Sequence, residues 1–383
     1  MAASNRLFQL CVSALLVILI AAPLNLVHAE SLGQWTSTTK YPLGLNAVSC
    51  ANFASDIYCV GGVGGGGNSH NQVYLASLGA SGIGAWSTGA AYPTAIDSAS
   101  CVSASAGIYC VGGENGGNPV NNVYFAPASS SGLGSWSSAA PYPNSLAAIS
   151  CVAYSGYIYC VGGFDTNGDE VSSTYYAPIS SGLTSWTGTT QYPLAVDSAS
   201  CAVSGGDIYC VAGETENGAS QNTPITNVYY AQLTSSGIGQ WSTALSYPTA
   251  LAAASCAPYS GYLYCVGGFD SSQYSSTDTY FAAVNASGVA SWANAAPYPI
   301  AIDTSTCVTY NGYIYCVGGT SDTASSHSIV NSSYYAPIAG AATTSSTTPE
   351  FPVAAAIPLV LAGALVAVAW TSRTTRRSSG PTA

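Results

Sequence analysis

The stretch Cys151-Val-Ala-Tyr-Ser-Gly-Tyr-Ile-Tyr-Cys160 decides the fold, because its cysteine pair recurs six times with the same spacing. Two apolar, aromatic and β-branched runs flank Ser155-Gly156, which predicts a β-hairpin with a two-residue turn. In that register Cys151 lies opposite Cys160 at a non-hydrogen-bonded position, where side chains come closest and a small adjustment closes a disulfide. We therefore expect six disulfides that each staple one hairpin: Cys50–Cys59, Cys101–Cys110, Cys151–Cys160, Cys201–Cys210, Cys256–Cys265 and Cys307–Cys316.

The fifth hairpin carries a proline inside its first strand. The same register places Pro258 opposite Leu263 at a non-hydrogen-bonded position, so the missing N–H would have pointed away from the partner strand. The first strand of the fifth hairpin is therefore predicted to be an edge strand.

The chain repeats with a period of about fifty residues. Each period contains the stapled hairpin, a strand with a tyrosine pair such as Tyr175-Tyr176, and a tryptophan strand. The tryptophans are Trp35, Trp86, Trp136, Trp186, Trp241 and Trp292. Four short strands per repeat are typical of a β-propeller, in which every sheet is covered by its neighbours. The predicted fold class is all-β.

The motifs follow one order in each repeat: a hydrophobic strand, then Gly-x-Ile-Tyr-Cys-Val-Gly-Gly, then a tyrosine strand and a tryptophan. This order resembles that of the kelch repeat. The resemblance covers residues 33 to about 338 and implies a six-bladed propeller over residues 30–339. The sixth copy has no tryptophan strand of its own, whereas Trp35 precedes the first hairpin. We expect residues 33–38 to complete the sixth blade and close the ring.

The N-terminus is predicted to be a secretory signal peptide over residues 1–29, since an apolar run follows Arg6 and ends at Val27-His28-Ala29. Cleavage would remove Cys11 and leave twelve of the thirteen cysteines. An even cysteine set in an exported protein favours disulfides over a zinc site.

The C-terminus has the order of a membrane anchor. A Ser/Thr/Ala-rich linker with a Pro-Glu-Phe-Pro motif (340–352) precedes an apolar run of eighteen residues (353–370), which is predicted to be a transmembrane helix. The arginines of the tail (371–383) place it in the cytoplasm and the propeller outside. The motif, span and arginines resemble the Pro-Glu-Phe class of archaeal sorting signals. That resemblance implies removal of the span by an archaeosortase at the cell surface.

Charge excludes several partners. Residues 30–350 contain sixteen acidic residues and one basic residue, Lys40. Phosphate binding needs lysine and arginine, so nucleic acid is not an expected partner. Sialidase-type chemistry, which needs arginines, is disfavoured for the same reason. So few charges also predict an acid-tolerant protein.

Three acidic residues occupy one position in alternate repeats, four residues before the first cysteine: Asp97, Asp197 and Asp303. At the mouth of a propeller channel, three carboxylates without a basic partner would repel one another unless they were solvated, protonated or bound to a hard cation such as Ca²⁺. Alternatively, they cap turns in a chain that grew by duplicating pairs of blades. No other cofactor is expected.

Nearly all length variation among the repeats falls in the loops after Gly62, Gly113, Gly163, Gly213, Gly268 and Gly319. Binding surfaces are usually built from such loops on a rigid scaffold. Asn285 and Asn331 stand in Asn-x-Ser sequons and are candidate glycan acceptors. The sequence thus predicts a membrane-tethered, cell-surface propeller that binds a glycan or protein, or builds the envelope. The alternative is a secreted carbohydrate-active enzyme that uses the channel-mouth carboxylates, and the enzyme question stays open with binding preferred.

Overall fold

The computed structural model describes residues 31–104, 106–129, 132–179, 182–216 and 222–339. The predicted signal peptide (1–29), linker (340–352), transmembrane helix (353–370) and tail (371–383) lie outside these residues. Among the described residues, no helix is long and apolar enough to cross a membrane.

The chain forms a six-bladed β-propeller of antiparallel sheets. The inner strands are Ser49–Phe53, Ser100–Ala104, Ser150–Tyr154, Ser200–Ser204, Ser255–Tyr259 and Thr306–Tyr310. The second strands are Asp56–Val60, Gly107–Val111, Tyr157–Val161, Asp207–Val211, Tyr262–Val266 and Tyr313–Val317. The third strands are Val73–Gly79, Val123–Ser129, Thr174–Pro178, Val228–Thr234, Thr279–Asn285 and Ser333–Pro337. The outer strands are Thr36–Ser37, Ser87–Thr88, Ser137–Ser138, Thr187–Gly188, Ser242–Thr243 and Gly288–Asn294.

Shorter strands extend some blades. Gly82–Ile83, Gly132–Leu133 and Gly237–Ile238 pair with the ends of the third strands of blades 1, 2 and 4. Two of the loops after the Gly-Gly form hairpins of their own, Glu214–Glu216 with Asn222–Pro224 and Thr320–Thr323 with Ser326–Ile329.

The N-terminal strand closes the ring, as predicted. Thr36 and Ser37 pair with Tyr335 and Tyr334 of the last third strand, so the first described strand is the outer strand of blade 6. Trp35 adds a second link, because its Nε1 donates to the carbonyl of Ala296 at the edge of blade 5 (3.0 Å). All six blades therefore have an outer strand among the described residues.

The stapled hairpins have the predicted register. Cys151 pairs with Cys160, and the same pairing holds in every blade. All six disulfides are formed, with Cα–Cα distances of 4.0–4.1 Å. Pro258 lies opposite Leu263 in an inner strand that pairs with only one other strand, so the edge-strand prediction is confirmed. Six disulfides are typical of a protein from an oxidising compartment.

Aromatic side chains fill the space between blades. The tyrosine of each Tyr-Pro pair is fully buried and meets the tryptophan of the following blade edge to face, as Tyr142 does with Trp186 (ring centroids 4.9 Å apart). It meets a third-strand tyrosine in the same way, here Tyr175 at 5.3 Å. Edge-to-face pairs add to the free energy of burial, so this repeated cluster locks neighbouring blades together.

Candidate functional site

The inner strands surround a channel lined by small side chains. Its middle section is a cavity of about 290 Å³ bordered by residues such as Ala51, Val102 and Pro258. Among the described residues, no acidic or basic side chain borders this cavity or the one next to it at the loop end. These channel cavities therefore lack the paired carboxylates that glycoside hydrolysis requires.

A serine in five of the six inner strands joins neighbouring blades. The backbone N–H of Cys101 donates to Ser49 Oγ of the preceding blade at 2.8 Å. The same contact recurs at four further boundaries, at 2.8–2.9 Å. At the last boundary Thr306 takes the serine position and instead donates to the carbonyl of Val48. Edge strands leave backbone groups unpaired, and these side chains satisfy them around the channel.

The Gly-Gly motif brings each second strand close to the next blade. Gly61 has φ +67°, and a Cβ at this position would lie 2.2 Å from the carbonyl oxygen of Ile96. The neighbouring N–H of Gly62 donates to that same oxygen at 2.8 Å. Glycine therefore suits both the left-handed backbone and the close approach, although blade 4 has Ala212 at the equivalent position with φ 56°.

Six residues in the left-handed conformation form the mouth of the channel at the loop end: Ala47, Ser98, Ala148, Ser198, Ala253 and Thr304, with φ from 48° to 53°. The N–H of Ser98 donates to the carbonyl of Ala47 at 3.0 Å, and four more neighbours are linked in the same way. These residues border a cavity of about 220 Å³. A left-handed conformation is costly for residues other than glycine, and these five hydrogen bonds help to hold it.

The three predicted aspartates directly precede this ring but do not line its cavity. They are buried, with 3–6% of their surface exposed. Asp97 accepts a hydrogen bond from Ser69 Oγ of the preceding blade (2.6 Å), and Asp303 accepts one from Ser275 Oγ (2.5 Å). Asp97 and Asp303 thus each connect two blades, and none of the three aspartates borders the cavity at the channel mouth.

The cation prediction concerns these same aspartates. Among the described residues, no group of three or more His, Cys, Asp or Glu side chains is placed to hold a metal ion. Asp97 also accepts from the hydroxyl of the adjacent Ser98 (2.9 Å), as a turn-capping residue does. Binding of Ca²⁺ by Asp97, Asp197 and Asp303 stays a prediction.

Sequence reasoning missed the partners of the aspartates. Ser69, Glu170 and Ser275 each lie seven residues after the second glycine of blades 1, 3 and 5. This alternation matches that of the aspartates. It could have been recognised from the spacing once the blade neighbours were known.

The pair at the boundary between blades 3 and 4 differs from the other two, because Glu170 replaces the serine. Asp197 Oδ1 and Glu170 Oε1 are both buried, and neither has a hydrogen-bond partner among the described residues. Burial raises the pKa of Asp197 to about 6, Ser198 lowers it by hydrogen bonding, and Glu170 raises it by repulsion. Because the loop provides no hydroxyl donor here, the burial of Asp197 is offset by fewer hydrogen bonds than that of Asp97 or Asp303.

Three further carboxyl groups have a raised pKa, and one of them is Asp207 at a hairpin turn, where burial raises it. Burial raises the pKa of Asp303 to about 6, opposed by hydrogen bonds from Ser275 and Thr304. The pKa of Glu114 is raised by burial first, and then by repulsion from and hydrogen bonding with Asp97. Carboxyl groups at the blade boundaries therefore hold their protons more strongly than exposed ones.

The face that carries the variable loops, called the loop face below, is strongly acidic. Of the fourteen acidic residues that the structure describes, twelve lie in these loops or at the starts of the inner strands beside them. Only Asp56 and Asp207 lie at hairpin turns on the opposite face. Lys40 is the one basic residue between Glu30 and Glu350, and it also lies at the loop face. The loop face therefore repels anions and attracts cations.

Two histidines and the two sequon asparagines lie in the loops and at blade edges. His70 Nδ1 lies 3.1 Å from Gln72 Oε1, and His327 pairs with Asp322 in the blade 6 loop hairpin. Asn285 is exposed at the end of a third strand, and Asn331 is half-buried. The two sequons are accessible to different extents, and glycosylation stays a prediction.

Comparison with known proteins identifies the fold. No family model matches the chain, and no curated protein matches it. The chain is similar to a solved structure described as "Structure of YjhT", with a TM-score of 0.63 and 15% sequence identity. The match covers 78% of this chain and 96% of that one. At this identity the likeness supports the propeller fold alone.

Proposed function

We propose that this protein is a cell-surface binding or envelope-scaffold propeller that contacts a glycan or a protein through its loop face. The observation that carries the proposal is the contrast between the rigid, disulfide-stapled inner half of each blade and the loops, which contain the length variation. Variable loops on a rigid scaffold are the usual construction of a binding surface.

The charge of the loop face limits the chemical class of the partner. With twelve described acidic residues there, a ligand that is neutral or basic is favoured over an anionic one. Nucleic acid is disfavoured for this reason. The exposed Tyr274 (43% of its surface) in the blade 5 loop offers a flat aromatic contact of the kind that binding sites use.

The proposed location follows from the two ends of the sequence. A cleaved signal peptide exports the kelch-like propeller, and the apolar run 353–370 tethers it with the C-terminus in the cytoplasm before any processing. The Pro-Glu-Phe motif before that run supports transfer to the surface by an archaeosortase-like step.

The test is binding of the full chain to an array of neutral, acidic and basic glycans, with and without Ca²⁺. We expect binding to neutral members, loss of binding in Tyr274→Ala, and no loss in Tyr259→Ala, a half-buried tyrosine at a hairpin turn on the opposite face. Equal binding by both variants would place the site away from the loop face. Release of reducing sugar from the bound glycans would instead indicate the enzyme class.

A further inference from the structure

The face opposite the loops is built from the six hairpin turns, and the residue pair that closes each turn differs among blades. The pairs are Phe53 with Asp56, Ala104 with Gly107, Tyr154 with Tyr157, Ser204 with Asp207, Tyr259 with Tyr262, and Tyr310 with Tyr313. Three blades thus carry two tyrosines at this position, whereas blade 2 carries the two smallest side chains.

In blade 3 the tyrosine reaches over the turn of the next blade. The phenol oxygen of Tyr154 lies 3.0 Å from where a Cβ on Gly206 would be, at the turn of blade 4. The equivalent place above the turn of blade 3 is open, because Ala104 replaces the tyrosine. A Cβ on Gly156 would meet no atom within 4 Å.

A cavity of about 350 Å³ occupies this open place, and its lining includes Asn52, Phe53, Ser103, Ala104, Ser155 and Gly156. Ligand pockets in proteins measure roughly 300–1,000 Å³, so the cavity can enclose one small ring. It arises where blade 2 lacks the ring that blades 3, 5 and 6 carry.

The side chains that line the cavity indicate which class of ligand it suits. Phe53 packs towards blade 2 and provides one aromatic wall, and Tyr154 contributes a second aromatic side chain to the lining. Ser103 and Ser155 provide hydroxyl groups that donate and accept hydrogen bonds, and no charged side chain among the described residues borders the cavity. An aromatic wall with neutral hydrogen-bonding groups suits a ring that has one apolar face and several hydroxyls.

We infer that this cavity is a second ligand site, on the face opposite the variable loops, that holds one neutral pyranose ring against Phe53. The sugar ring occupies the place of the missing tyrosine and contacts the turn of blade 3. The site is distinct from the loop face and does not depend on the loops for its shape.

The experiment is saturation-transfer NMR on the full chain with three probes: methyl α-glucoside, methyl α-mannoside and methyl β-galactoside. We expect transfer to at least one of them. Ala104→Tyr should abolish the transfer, because it restores the side chain that fills this place in blade 3. Ser204→Tyr is the matched control, since it introduces the same side chain at the same position of blade 4, and it should retain the transfer.

Phe53→Leu is a second variant, which keeps an apolar side chain and removes the aromatic wall. Loss of an aromatic contact of this kind weakens binding about three- to tenfold. The inference is overturned if none of the three glycosides receives saturation, if Ala104→Tyr binds as the unaltered chain does, or if N-acetyl-tyrosinamide binds in preference to all three. Tyr274→Ala should leave this site unchanged, so its result bears on the loop face alone.

Discussion

Replacing Asp197 by Asn should make the protein more stable at neutral pH and change how stability depends on pH. Burial raises the pKa of this carboxyl to about 6 from its ordinary 3.8, so the folded protein holds the proton more strongly than the unfolded chain does. The ionised carboxylate therefore costs stability above the folded pKa. This cost declines as the pH falls through about 6, and it is absent below the unfolded pKa of about 4.

The size of the effect follows from the gap between the two pKa values, which corresponds to roughly 3 kcal/mol. An asparagine cannot ionise, so the difference in unfolding free energy between the variant and the unaltered protein should increase by about this amount from about pH 4 to about pH 8. Glu170→Gln should give a smaller change of the same sign, because it removes the repulsion but leaves the burial of Asp197.

Urea unfolding at a series of pH values measures this difference directly. Asp169→Asn is the matched control, because it makes the same change at an exposed position of the same loop. Parallel curves for Asp197→Asn, or a variant that is relatively less stable at the higher pH, would refute the reasoning.

Three further perturbations test how the ring is held together. Trp35→Ala removes an edge-to-face contact with Tyr298 (4.9 Å) at the closure of the ring, and urea unfolding should show a loss of about 3 kcal/mol. Ser150→Ala leaves the N–H of Cys201 without its acceptor and should cost about 1–3 kcal/mol in the same assay, with Ser137→Ala on an exposed outer strand as the control. Reduction of the disulfides, each worth on the order of 2–3 kcal/mol, should lower the hydrogen-exchange protection of the inner hairpins before that of the third strands, and simultaneous loss everywhere would contradict this order.

The blades could be predicted from sequence because their determinants are local or periodic. The nine-residue spacing of the cysteines and the two-residue turn set the hairpin register, and the structure has that register in every blade. The closure by the N-terminal strand was predictable because the sixth repeat lacks a tryptophan while Trp35 has no preceding tyrosine strand. Pro258 identified the edge strand, since proline is confined to such strands within sheets.

The contacts between blades could not be derived in the same way, because they join residues about thirty or fifty positions apart. The hydrogen bond from Ser69 to Asp97 becomes apparent only when the loop of one blade is placed beside the entry strand of the next. The left-handed residues at the channel mouth gave no local indication either. Positions such as Ala47 and Thr304 carry neither glycine nor asparagine, the usual residues for this conformation.

The pH dependence of the carboxyl charges at the loop face distinguishes two kinds of partner, a basic protein and a neutral glycan. Burial raises the pKa of Asp197 and Asp303 to about 6 and also raises that of Glu114, so these carboxyls become neutral at a pH where exposed ones are still ionised. Acidification therefore reduces the charge of the loop face while it stabilises the blade boundaries beneath it. A basic protein bound by charge should dissociate between neutral pH and about pH 4, and added salt should weaken its binding at neutral pH. A neutral glycan should stay bound under both conditions, because hydrogen bonds and aromatic contacts do not depend on the net charge of the face.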